Sequence, residues 1–113
     1  RLSWVLCPRS NDYIEGARPP IETLRRAGVR IALGTDSLSS NETLSIVEEL
    51  KMLRSVPLDE ALRWATLGGA EALGIDSWAG SFVPGKRPGA VLLGGIDFRT
   101  TTLRDDTFSR RIL

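Results

Sequence analysis

The stretch Val29-Arg30-Ile31-Ala32-Leu33-Gly34-Thr35-Asp36-Ser37 decides how the chain reads. Its first five residues are nearly all apolar and too few for a helix, the pattern of a strand covered on both faces, as strands of parallel sheets are. Gly34 to Ser37 then end the strand in a polar turn. Upstream, Ile21, Leu24 and Ala27 mark one face of a helix over 21–27; Pro20 suits its start, Arg25 and Arg26 suit its C-terminal end and Gly28 stops it. Further upstream, Leu2-Ser3-Trp4-Val5-Leu6-Cys7 reads as a second buried strand, bounded by Pro8. Pro8 to Ala17 is polar and reads as a loop. A strand, a helical crossover and a strand should place the two strands parallel and adjacent.

Downstream of Ser37, the pattern predicts a helix over 42–54, with a stripe of Leu44, Val47, Leu50 and Leu53 and Ile46 beside it. Ser39 followed by Glu42 fits a capping box, with Asn41 as a competing N-cap. Pro57 ends this helix, and two shorter ones follow over 58–65 and 67–73, with Thr66 as N-cap between them and Gly74 as the stop. After Gly74 the composition shifts to Gly and Pro. A short strand is expected over 90–93 and another over 110–113. The fold class is therefore α/β, followed by a small β appendage. Two parallel strands leave faces and edges that need cover, from more of the same chain or from a second copy.

Composition narrows the chemistry. The 113 residues carry 15 basic and 14 acidic side chains, one Cys and no His. A net charge of +1 without a basic cluster gives no electrostatic footprint for nucleic acid. No apolar run reaches the roughly 20 residues of a membrane span, and nothing at the N-terminus reads as a signal peptide, so a cytoplasmic location is expected. Without His, a metal centre or Ser-His catalysis built solely from these residues is excluded or nearly so. The chain opens on Arg1 rather than Met and runs at once into an apolar stretch, so it reads as part of something longer.

Asp36 is the leading candidate for chemistry. It ends a buried strand, at the edge of a parallel sheet where active sites gather, and a carboxylate there can ligate a metal or accept a proton from water. The structural alternative is an Asx turn linking strand to helix. Arg9, Ser10 and Asn11 occupy the equivalent place after the first strand, and Ser37 follows Asp36; these could hydrogen-bond a polar substrate or satisfy their own turns. Cys7 lacks a His partner and reads as a small buried hydrophobe. Gly80 to Lys86 has the spacing of a phosphate-binding loop, but Arg87 stands where a hydroxyl is required and Pro84 removes an N–H donor.

Taken together, Val5-Leu6-Cys7-Pro8-Arg9-Ser10-Asn11, Ala27 to Ser37, Ser40-Asn41, Leu62-Arg63-Trp64-Ala65-Thr66 with Gly69 to Gly74, and Gly80-Ser81 with Pro84-Gly85-Lys86 resemble the amidohydrolase superfamily. The cytosine deaminase and chlorohydrolase type is the nearest subgroup, and the likeness runs through roughly residues 2–94. It implies a metal-dependent hydrolase on a (β/α)8 barrel, of which residues 1–76 would form the last two strand-helix units with trailing helices. Residues 77–113 would belong to a small β-sandwich. By resemblance, Asp36 would be both metal ligand and proton shuttle, while Arg9, Ser10, Asn11 and Ser37 would line the substrate. The metal would be zinc or iron, and the substrate a small heterocycle losing an amine or chloride to activated water. The family's His ligands would lie upstream of Arg1, so this piece alone would bind no metal and be inactive. The competing expectation is a non-catalytic α/β association module that folds by homo-oligomerisation.

Overall fold

The computed structural model describes residues 2–113. Strand β1 (Ser3–Leu6) pairs in parallel with β2 (Arg30–Leu33), in register from Ser3 opposite Arg30 to Leu6 opposite Leu33. The Gly34 N–H donates to the Leu6 carbonyl at 2.8 Å, carrying the ladder one step beyond the strands. The two strands are thus parallel neighbours, and the chain is a mixed α/β structure.

Residues 8–15 form a helix, α1 (Pro8–Glu15), where the sequence suggests a loop. Only Pro8 and Ser10 of α1 are buried, so it carries no apolar stripe by which periodicity could reveal it. Pro8 at the start supplies a preset φ and lacks only an N–H that a first turn cannot use, and Gly16 closes the far end in a left-handed cap. Helix α2 (Ile21–Arg26) follows as expected, with Leu24 buried.

Helix α3 (Ile46–Lys51) is shorter than the predicted 42–54 and starts later. Its N-cap is Ser45, whose hydroxyl accepts from the Glu48 N–H, rather than Ser39 or Asn41. The Ser-x-x-Glu pattern occurs twice in this stretch, and the second copy is the one used; Asn41, the other candidate cap, bonds to Thr35 and Glu49 instead. Val47, Leu50 and Leu53 face the core as predicted, whereas Leu44 is exposed.

The two helices expected on either side of Thr66 are one unbroken rod. Helix α4 (Leu58–Arg63) widens into a π-helical turn (Trp64–Gly68) and continues as α5 (Gly69–Leu73), which Gly74 ends with a left-handed cap. Thr66 caps nothing; its hydroxyl donates back to the Leu62 carbonyl at 2.7 Å. The π turn lies on β2, and a Cβ at Gly68 would stand 2.3 Å from the Ile31 carbonyl oxygen.

Strands β3 (Val91–Asp97) and β4 (Thr102–Arg111) form an antiparallel hairpin with an irregularity between Gly94 and Ile96, and both run longer than the expected 90–93 and 110–113. Leu103 of β4 enters the same core as Leu6, Leu24, Ile31, Leu33, Leu50, Leu53 and Trp64. Arg54 (2.6 Å to Asp105 Oδ1) and Lys51 (2.7 Å to the Asp105 carbonyl) hold the hairpin on α3. On β1, Trp4 and Val5 remain 52% and 57% exposed although they point to opposite faces. Among the described residues no helix is long and apolar enough to cross a membrane.

Adjacent glycines in the rod should respond oppositely to alanine. Gly68→Ala drives a methyl into β2 backbone and should destabilise by about 1–3 kcal/mol, as overpacking does. Gly69 is helical with open space around its Cβ position, so Gly69→Ala should stabilise by about 0.5–1 kcal/mol. Denaturant midpoints of the two variants check the pair, and a destabilising Gly69→Ala would contradict the packing described.

Candidate active site

Parallel pairing brings the residues after β1 and those after β2 to one sheet edge. Gly34 makes this close approach feasible: a Cβ there would meet Val5 Cγ1 at 3.0 Å and Cys7 Sγ at 3.4 Å. The backbone then turns left-handed at Asp36 (φ 57°), a region that Asp tolerates better than most residues. Its exposed side chain returns toward α1.

Ser10 and Ser40, both buried, receive that carboxylate. The Ser10 hydroxyl lies 2.9 Å from Asp36 Oδ2 and 2.7 Å from Ser40 Oγ, and Ser40 Oγ lies 3.1 Å from the same Oδ2. Two hydroxyl protons serve three short contacts, so at most two of the three are hydrogen bonds at once, and Asp36 Oδ2 accepts from one serine directly or from both. Oδ1 has no hydrogen-bond partner among the described residues. One oxygen is anchored and the other is left without a partner among the described residues.

Behind this pair sits a polar cluster. Arg9 Nε donates to Asn41 Oδ1 at 2.9 Å, and its guanidinium pairs with the exposed Glu42 at 3.5 Å. The Asn41 amide donates to the Thr35 carbonyl at 3.0 Å and to Glu49 Oε1. Glu49, on α3, has no exposed surface at all, and its other oxygen accepts the Arg9 backbone N–H at 3.0 Å. Burial pushes its carboxyl above the usual range, against the stabilising pull of the Arg9 N–H, the Asn41 amide and the Arg9 charge. Burial likewise pushes the Cys7 thiol up, partly offset by the Asp36 backbone N–H.

Of the residues singled out from sequence, Ser10, Arg9 and Asp36 come together. Asn11 sits in the first turn of α1 with its N–H on the Cys7 carbonyl, and Ser37 is exposed, its hydroxyl accepting from the Ser39 N–H at 3.3 Å. Glu49 is a site residue that the sequence reading passes over, Ser40 enters that reading only within the motif Ser40-Asn41 and without a role, and Asn41, read as a cap, serves the cluster instead. A signal for Glu49 exists: it falls three residues after Ile46 and four before Leu53, a charge on a core-facing stripe. The residues over 80–87 enter no helix, and Lys86 reaches the Ala79 carbonyl at 3.5 Å, which disposes of the phosphate-loop resemblance.

Among the described residues no three His, Cys, Asp or Glu side chains converge on one point. Asp36 offers one unengaged carboxylate oxygen, whereas a zinc site takes about three or four ligands, so these residues do not by themselves make up a metal centre.

A family model described as "Amidohydrolase family" matches residues 1–112. The chain belongs to the amidohydrolase family. Among curated relatives of this amidohydrolase chain, the 5-methylthioadenosine/S-adenosylhomocysteine deaminase of Halobacterium salinarum is 42% identical over 86 residues, covering 66% of the chain and 20% of that protein. The enzyme of the same name from Pelotomaculum thermopropionicum is 38% identical over 110 residues, covering 88% and 24%. Of solved structures, an adenosine deaminase from Xanthomonas campestris with bound zinc superposes with a TM-score of 0.70 at 35% identity, covering 80% of this chain and 23% of that one. The guanine deaminase of E. coli gives 0.67 at 29% identity, covering 82% and 23%. The chain thus spans about a fifth to a quarter of the length of the relatives it matches.

A thiol whose proton is held more tightly offers less thiolate, the reactive form, at any given pH. Cys7 should therefore be alkylated by iodoacetamide more slowly than free cysteine at neutral pH, with the rate rising only above the ordinary thiol range. Mass spectrometry of the Cys7 peptide across pH checks this; a rate matching free cysteine would contradict it.

Proposed function

We propose that this chain supplies the last two strand-helix units of a metal-dependent aminohydrolase barrel, residues 1–76, followed by part of a small β domain, residues 77–113. The observation that carries the reading is the Asp36 carboxylate, held by two serines through one oxygen at the end of a parallel strand, with the other oxygen unengaged. Trp4 and Val5, half exposed on opposite faces of β1, are the surfaces that neighbouring barrel strands and helices would cover.

In this reading Asp36 is one of the metal ligands and the group that takes a proton from water and passes it on. A bound zinc or iron would supply Lewis acidity and a water acidic enough to lose its proton near neutral pH. Ser10 and Ser40 stop the carboxylate from rotating, which keeps its free oxygen aimed at one point. Arg9, Asn11 and Ser37 stand at the same edge and would meet a polar heterocycle. The deaminase names of both sets of relatives favour C–N over C–Cl cleavage and make purine nucleosides such as 5-methylthioadenosine the first substrates to try. A cytoplasmic setting suits such substrates.

The test is Asp36→Asn in the intact protein. Asn tolerates the left-handed backbone and keeps the shape while losing the charge, so a loss of about 10²–10⁴-fold in kcat is expected, the usual contribution of a positioned acid-base group. Bound zinc should fall with it. Wild-type turnover and zinc content in that variant would remove Asp36 from catalysis.

The exposed faces of β1 also favour a second reading, a non-catalytic module that covers itself by pairing with another copy. The 113-residue chain on its own separates the two. The barrel reading expects no turnover with added zinc; a stable dimer that restores no activity in any longer context would favour the module.

A further inference from the structure

A charged group with no exposed surface is costly to bury, and it persists where its hydrogen bonds are satisfied. Glu49 is such a group, and neither its position on α3 nor its contacts touch Asp36 directly. Its Oε2 takes the Arg9 backbone N–H, one of the first-turn donors that α1 leaves unpaired because its N-cap, Cys7, has no capping side chain. That contact fixes the first turn of α1, which carries Ser10. Its Oε1 takes the Asn41 amide, which also donates to the carbonyl of Thr35, the peptide immediately before the left-handed bend. One buried carboxylate therefore anchors both loops that meet at Asp36.

We propose that Glu49 is a positioning residue for Asp36, setting the bend that aims its free oxygen and the serine that clamps the other one. This rests on the reading of Asp36 as a metal ligand, and it adds a residue that acts through Arg9, Asn41 and Thr35 without meeting metal or substrate. Ordinary helix capping would act on α1 alone. The link through Asn41 makes the same carboxylate answerable for the β2 loop as well.

The experiment is Glu49→Gln in the intact protein, which keeps the volume but turns one acceptor into a donor facing the Asn41 amide. Amide hydrogen exchange should accelerate in peptides covering residues 8–11 and 34–41 while the α4–α5 rod stays as protected as in wild type. Zinc affinity, measured by chelator competition, should fall by about 10- to 100-fold, the usual cost of removing a partner that orients a metal ligand. KM should stay near the wild-type value while kcat falls. Unchanged exchange over 34–41, or local loosening with full zinc affinity and kcat, would overturn the proposal. If Glu49→Gln loosens the whole fold, Asn41→Ala decides, since it cuts the link to Thr35 and leaves Glu49 on α1; faster exchange over 34–41 with weaker zinc binding is expected, and the absence of either counts against the proposal. If Asp36→Asn itself leaves zinc affinity untouched, the metal reading of Asp36 has failed. Local loosening over 34–41 in Glu49→Gln would then still show that Glu49 sets the bend.

Discussion

The parallel pairing of β1 with β2 is the constraint on which the site depends. Each strand is only four residues long, yet the register from Ser3–Arg30 to Leu6–Leu33 fixes where both chains leave the sheet. Because parallel strands leave at the same edge, Pro8 to Ser10 and Thr35 to Asp36 start within reach of each other. An antiparallel pairing would have put them at opposite ends. Packing then secures the pairing from one side: Ile31 and Leu33 are buried against Leu50, Leu53 and Trp64, and the π turn brings backbone against backbone at Gly68.

The polar cluster occupies the place where that apolar packing stops. Between the core and the solvent edge lie Arg9, Asn41 and Glu49, which share acceptors and donors so that each buried polar atom finds a partner. The cluster ties together α1, α3 and the loop after β2, which are far apart in sequence. Asp36 is connected to it through the Thr35 carbonyl and shares its α1 anchor through Ser10.

What could be read from the sequence follows the physics of each signal. Strands β1 and β2 announce themselves by short apolar runs, and α2 and Gly74 by periodicity and a stop. The α/β class follows from those, whereas the family shows only as a resemblance carried by several motifs in consistent order, Gly34-Thr35-Asp36 among them. Helix α1 stays hidden because its partner Glu49 is distant in sequence, and because its two large apolar residues, Tyr13 and Ile14, are exposed and form no core-facing stripe. The start of α3 is misplaced because two identical capping patterns stand six residues apart and nothing local in the sequence separates them. Thr66 misleads in a similar way: a residue that favours caps sits inside a helix, where its hydroxyl bonds back to the Leu62 carbonyl. Within the site, Asp36 is legible from its place after a strand, whereas Ser40 and Glu49 acquire meaning only once the chain has folded around them.

The left-handed backbone at Asp36 bears on how this position can drift over evolutionary time. Asn and Gly suit the conformation but carry no charge, while Glu keeps the charge on a longer arm that overshoots the two serine hydroxyls and adapts poorly to positive φ. On the proposed role of Asp36, backbone and chemistry thus select from two lists of residues that share a single member. A lineage leaving Asp36 would have to reshape the loop or abandon the carboxylate, and neither step is gradual.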